Sequence, residues 1–161
     1  MIARKRLMHF LDVSFGGEAP IWLRLGADLE EFNLEANPEV NVTKNIIGNQ
    51  SVKVSGYEKS AEVGTYFACD STESPEEAAL FEKLKEFYYN EETGTALNTY
   101  TSDVFVTADG TVEWAKKTPV KVVVQSLGGN TEGVQAPFTI YNTGKSVDAD
   151  ATIEDGKLVV S

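Results

Sequence analysis

One cysteine and one histidine are all that this 161-residue sequence offers of the side chains that most often hold metals or attack substrates. Cys69 has no second thiol to bridge, and together with His9 it cannot furnish a zinc site of the usual kind. The fold has to hold by packing. Basic residues are scarce as well: 14 Lys and Arg stand against 25 Asp and Glu, a net charge of −11. Stable phosphate binding draws on Lys and Arg contacts that release counterions, so this balance disfavours a nucleic-acid-binding function. No apolar run approaches the length that spans a bilayer. After Arg4-Lys5-Arg6, His9 and Asp12 break the apolar run too early for a secretory leader, which reads as a cytoplasmic product.

What is present is alternation. With 42% apolar residues the chain has enough for one core, and residues 1–161 read as a single domain. Apolar and polar residues alternate through most of it, the period of half-buried strands. Phe32, Leu34 and Ala36 alternate with Asn33, Glu35 and Asn37; Val52 and Val54 follow, then Ala61, Val63 and Phe67. Val104 and Val106 approach Asp109-Gly110 and return through Val112 and Trp114, a hairpin signal, and Asp155-Gly156 repeats it near the C-terminus. Val120 to Leu127 predicts a central strand. Gly128-Gly129-Asn130 then turns the chain into Val134, Ala136, Phe138 and Ile140, a strand that Pro137 assigns to an edge.

One segment reads as a helix, over 75–90. Ser74-Pro75-Glu76-Glu77 combines an N-cap serine, proline at the first helical position and glutamate at the third. Leu80, Phe81, Leu84, Phe87 and Tyr88 then form one apolar face, and Gly94 is expected to end the segment.

The chemistry-bearing residues make no catalytic constellation. His9 has no evident partner, and a lone histidine in an apolar context is usually structural. Cys69 has no neighbouring cation to activate it, so a half-buried inert thiol is expected. Glu30-Glu31, Glu76-Glu77 and Glu91-Glu92 are adjacent pairs whose side chains point apart, and such doublets arise by chance in a chain this acidic. Asp148-Ala149-Asp150 lacks the glycine of a calcium loop. Gly128-Gly129 opens no helix and cradles no phosphate. Trp22, Trp114, Tyr100 and Tyr141 could stack on sugars, which keeps a carbohydrate-binding β-sandwich module as the rival reading. The expectation is a protein that is not an enzyme, with no cofactor and no metal.

Residues 37–50, NPEVNVTKNIIGNQ, form a mostly polar excursion carrying Val40, Val42, Ile46 and Ile47, the kind of segment that docks on something. Several strings resemble the major tail proteins, or tail tube proteins, of long-tailed bacteriophages. They are Asn37-Pro38-Glu39-Val40, Thr43-Lys44-Asn45-Ile46-Ile47-Gly48, Ser51-Val52-Lys53-Val54-Ser55-Gly56-Tyr57-Glu58, Leu80-Phe81-Glu82-Lys83-Leu84 and the paired strands from Val122 to Tyr141. About three quarters of the chain is covered by strings of a structural rather than a chemical kind.

That resemblance implies a mainly β fold of two packed sheets, sandwich- or barrel-like, with one flanking helix and a long stacking loop at 37–50. It implies hexameric rings stacked into a tube, with inter-ring contacts at Val40, Val42, Ile46 and Ile47. The implied partners are further copies of the chain, tail-tip, tape-measure and terminator proteins, and passing DNA without specific binding; no membrane is involved. The implied place is the virion tail, assembled in the host bacterial cytoplasm. If Phe32, Leu34 and Ala36 face the core, then Glu35 and Glu62 point to the other face and become candidates for lining the lumen. The N-terminal Arg4-Lys5-Arg6 departs from the family pattern, as a free terminus or a contact to a neighbouring ring. Secretion-system tubes and tail terminators share the same fold, so the resemblance extends to them.

Overall fold

The computed structural model describes residues 1–26, 32–64, 68–69 and 72–160; Phe67 and the Glu30-Glu31 doublet lie outside them. The fold is mainly β, with one α-helix among the described residues. The strands are β1 Leu7–Asp12, β2 Trp22–Leu25, β3 Pro38–Lys44, β4 Gln50–Tyr57, β5 Ser60–Val63, β6 Asn98–Val106 and β7 Val112–Val124. They continue with β8 Gly128–Asn130, β9 Gly133–Gln135, β10 Phe138–Asn142, β11 Val147–Asp148, β12 Ala151–Glu154 and β13 Lys157–Val160; the helix α1 spans Pro75–Tyr89. A seven-stranded antiparallel sheet, curled into a half-barrel, runs β2-β1-β6-β7-β10-β5 with β11 added beside β7. Three two-stranded ribbons, β3–β4, β8–β9 and β12–β13, complete it.

Both hairpin signals are realised. Asp109 sits in the β6–β7 turn, where the Thr107 hydroxyl and the Thr111 N–H donate to its carboxylate and hold it below the usual carboxylate range. Asp155 and Gly156 take φ of +50° and +77°, the double left-handed pair that a two-residue hairpin requires. The expected central strand is longer than its sequence signal. Val112 to Val124 is one 13-residue strand, pairing β6 along one side and β10 then β11 along the other. Pro137 does not mark an edge: β10 pairs with β7 and β5 alike. The proline lies just before the strand, where its missing N–H interrupts no rung and its carbonyl accepts from Gln125 N at 2.9 Å.

Each face of the large sheet is covered, wholly or in part, by a different element. On one, Leu11, Leu23, Val120, Val122, Phe138, Ile140, Ala61 and Val63 pack with Leu80, Leu84 and Phe87 of α1. On the other, Phe10, Val104, Val106 and Ala115 pack with Leu158 of the β12–β13 ribbon. Each such aliphatic or aromatic side chain contributes about 1.5–3 kcal/mol on burial. Ser74 caps α1 by accepting from Glu77 N at 3.4 Å, as its sequence indicates. The helix stops earlier than Gly94. Glu91 adopts φ +50°, and Glu92 N reaches back to Phe87 O at 3.2 Å, a Schellman closure made without glycine. Tyr88, expected on the buried face, is exposed.

The expected strand at Phe32 to Ala36 is reduced to one β-bridge, Glu35 to Ser60. Its alternation survives only in part. Phe32 is buried, but Leu34 and Ala36, expected to face the core, are exposed at the rim of a cavity; Asn33 and Asn37 line a depression with Glu62 on the opposite side, and Glu35 borders both. The N-terminus is tied down rather than free. Arg4 donates to Leu7 O and Phe32 O, and Arg6 donates to Val106 O while lying over the Phe105 ring.

Candidate assembly surfaces

The segment read as a loop is half of a ribbon. β3 and β4 pair from Pro38↔Tyr57 to Lys44↔Gln50 and project from the body as an arm whose residues are almost all exposed. Val40 lies opposite Val54 and Val42 opposite Val52, so these valines share one face; Asn41, Thr43, Ser51 and Lys53 lie on the other. The tip is a hydrogen-bonded turn. Asn45 Oδ1 accepts from Ile47 N at 3.2 Å and from Asn49 N at 2.9 Å, while Gly48 closes the turn at φ +88°. That order displays Ile46 at 103% and Ile47 at 77% relative exposure. All four stacking candidates, Val40, Val42, Ile46 and Ile47, thus lie on one exposed element.

The second surface is the part of the sheet that neither α1 nor the C-terminal ribbon covers. Glu35 and Glu62 both border the depression there, with Asn33, Asn37, Ser60, Gly64, Thr139 and Tyr141. Register extends the same face inward: Ser60 is level with Tyr141, and Tyr141 with Lys121. Lys117, four residues earlier on β7 and so on the same face, lies over the Tyr100 ring at 4.4 Å. The open face therefore carries two lysines besides its two carboxylates. At its margin is β5, a four-residue edge strand; β2, also four residues long, forms the opposite edge of the sheet. Glu35 pairs with Ser60 through bonds of 2.7 and 3.0 Å and covers only that end of β5.

A cavity of about 250 Å³ lies between β1, β6, β10 and the Phe32–Ala36 segment. His9 is buried in its wall and its Nδ1 lies 2.6 Å from Asp103 Oδ1, with the ring 4.9 Å from Phe32. Two wall hydroxyls, Thr118 and Ser146, bond each other at 2.6 Å. The histidine joins β1 to β6 and seats Phe32, which is a structural task. Cys69 is partly buried. The four aromatic candidates do not gather: Trp22 packs at the C-terminal ribbon, Trp114 stacks on Phe105 at 5.6 Å, and Tyr100 and Tyr141 belong to the open face.

No protein-family model matches this chain, and no curated protein matches it. Solved structures do. The chain is similar to one from the PVC sheath/tube terminator of an extracellular contractile injection system in the extended state. Identity there is 9%, the match covers 92% of this chain and 96% of the other, and the TM-score is 0.48. It is also similar to a chain of the PVC sheath-tube complex in the extended state, with 9% identity, 92% and 90% coverage and a TM-score of 0.43.

Two features of these surfaces escape the sequence reading. Lys117 and Lys121 reach the open face because β7 runs unbroken through a stretch that reads as two strands. Asn37 holds the base of the arm at φ +43°, and the Asn-Pro pair at 37–38 is the signal that marks it.

Proposed function

We propose that this chain is a structural subunit of a tail tube, in a long-tailed phage or a related injection particle, and that it has no catalytic role. Copies join edge to edge through β2 and β5 into rings, and rings stack through the β3–β4 arm. The observation that carries this reading is the arm. A lone two-stranded ribbon is at best marginally stable in water, and an apolar face this size on a surface element marks an interaction site. Leaving both tip isoleucines in solvent forgoes about 1.5–3 kcal/mol apiece, which a docking surface on a second copy would recover.

The family resemblance supplies the ring size of six and the partners: tail-tip, tape-measure and terminator proteins, and DNA passing through the lumen. It also supplies the location, a virion tail assembled in the bacterial cytoplasm. The short edge strands suit ring closure, because a closed ring satisfies backbone groups that a monomer leaves open. Analytical ultracentrifugation and negative-stain microscopy test the reading, with the protein concentrated alone and with its tail-tip initiator. Rings or tubes are expected in at least one condition. Strictly monomeric protein in both would overturn the proposal.

A further inference from the structure

The arm leaves the body through a gap in the ladder. On the body side Glu35 and Ser60 pair; on the arm side pairing resumes at Pro38 and Tyr57. Between them Asn37 spans the gap with its side chain. Its Nδ2 donates to Glu58 O at 3.0 Å and to Ser60 Oγ at 3.0 Å, while its own carbonyl accepts from Glu58 N at 3.2 Å. One amide thus bonds both the root of the arm and the edge strand of the body. The backbone at this point is costly for most residues. At φ +43° Asn37 is in the left-handed region, and it directly precedes Pro38, which pushes its neighbour towards extended conformations. A shift of register between Glu39 and Val40 adds a bulge one step further out.

We infer that Asn37 is the positioning residue that fixes the direction of the arm relative to the β5 edge, so that stacking contacts and ring contacts are presented in one geometry. The purpose rests on the tube reading; the clasp itself does not. If Asn37 were only a turn former, glycine would fit in its place at the cost of backbone entropy alone, because glycine enters the left-handed region at no steric cost. A clasp needs the amide. The Ser60 hydroxyl is one of its two acceptors, so Ser60→Ala removes part of the clasp and leaves the turn untouched.

The test measures the arm in the full-length protein, in a Cys69→Ser background, with spin labels at Lys53→Cys on the arm and Lys85→Cys on α1. One narrow distance distribution is expected for the parent. Asn37→Gly is expected to about double its width with unchanged circular dichroism, and Ser60→Ala to give an intermediate width. A parent-like width in Asn37→Gly overturns the clasp. In assembly, Asn37→Gly is expected to elongate about tenfold more slowly than the parent; elongation at the parent rate overturns its role in presentation. If the parent itself forms no tubes, the tube reading fails, and the distance distribution still decides the clasp.

Discussion

The β3–β4 arm and the β12–β13 ribbon are both two-stranded, both built from alternating aliphatic residues, and they meet opposite fates. The C-terminal ribbon lays Leu158 against Phe10, Val104 and Ala115 and becomes part of the core. The arm lines up Val40 with Val54 and Val42 with Val52 and leaves them in solvent. Alternation decides that a ribbon has an apolar face; what covers that face is decided by where the ribbon joins the body. β12 is delivered to the sheet by β11, which pairs with β7, whereas the arm branches from the β5 edge and its strands pair only with each other among the described residues.

Truncating one valine or leucine in each ribbon gives the widest separation. Leu158→Ala removes a buried side chain and is expected to cost about 2–4 kcal/mol of stability, measured as a lower urea midpoint. Val42→Ala, at an exposed position, is expected to stay within about 0.5 kcal/mol of the parent. A comparable loss at Val42 would mean that the arm is already packed on something in the free protein, and the contrast would collapse.

Assembly reverses the ranking. Ile46→Asp with Ile47→Asp should leave the far-ultraviolet spectrum and the urea midpoint unchanged, because neither side chain packs on the body. The same pair should block elongation, since two carboxylates at the tip oppose burial against a second copy. Normal-length tubes from this double variant would show that the tip is not the stacking element.

How far the sequence foretold these regions differs for physical reasons. Local signals transferred well: the Ser74 cap and the two Asp-Gly turns are settled within a few residues, whereas the alternation from Phe32 to Ala36 yields one bridge in place of a strand. Non-local outcomes did not. Pro137 could not reveal that β10 would be flanked on both sides, because an edge is a property of neighbours and β5 is more than 70 positions away in sequence. The 37–50 segment looked like a loop because its polar residues and Pro38 mask a ribbon whose second strand is needed to complete the pattern. Tyr88 is exposed because it lies about 100° around the helix from Phe87, beside the stripe that Leu80, Leu84 and Phe87 bury. Of the candidate surfaces, the residues were legible and the geometry that groups them was not: nothing local sets Glu35 beside Glu62, and nothing local brings Lys117 and Lys121 to their face.

The smallest expected effect concerns that open face, the counterpart of the arm in being uncovered but polar instead of apolar. If it lines the channel, its charges meet every passing phosphate. Two carboxylates alone would repel DNA, yet Lys117 and Lys121 stand on the same face, so the two signs balance locally and the repulsion is softened. Glu35→Lys with Glu62→Lys removes these two carboxylates and leaves four lysines on this face of each subunit, at 35, 62, 117 and 121, repeated around each ring. Cationic surfaces bind DNA by counterion release, so ejection from particles carrying this variant should slow at low salt and recover as salt rises. The complementary variant, Lys117→Gln with Lys121→Gln, should leave ejection near the parent rate and nearly independent of salt. Wild-type ejection rates from the Glu→Lys particles at every ionic strength, with tubes of normal length, would place these residues away from the channel and assign the lumen to another surface.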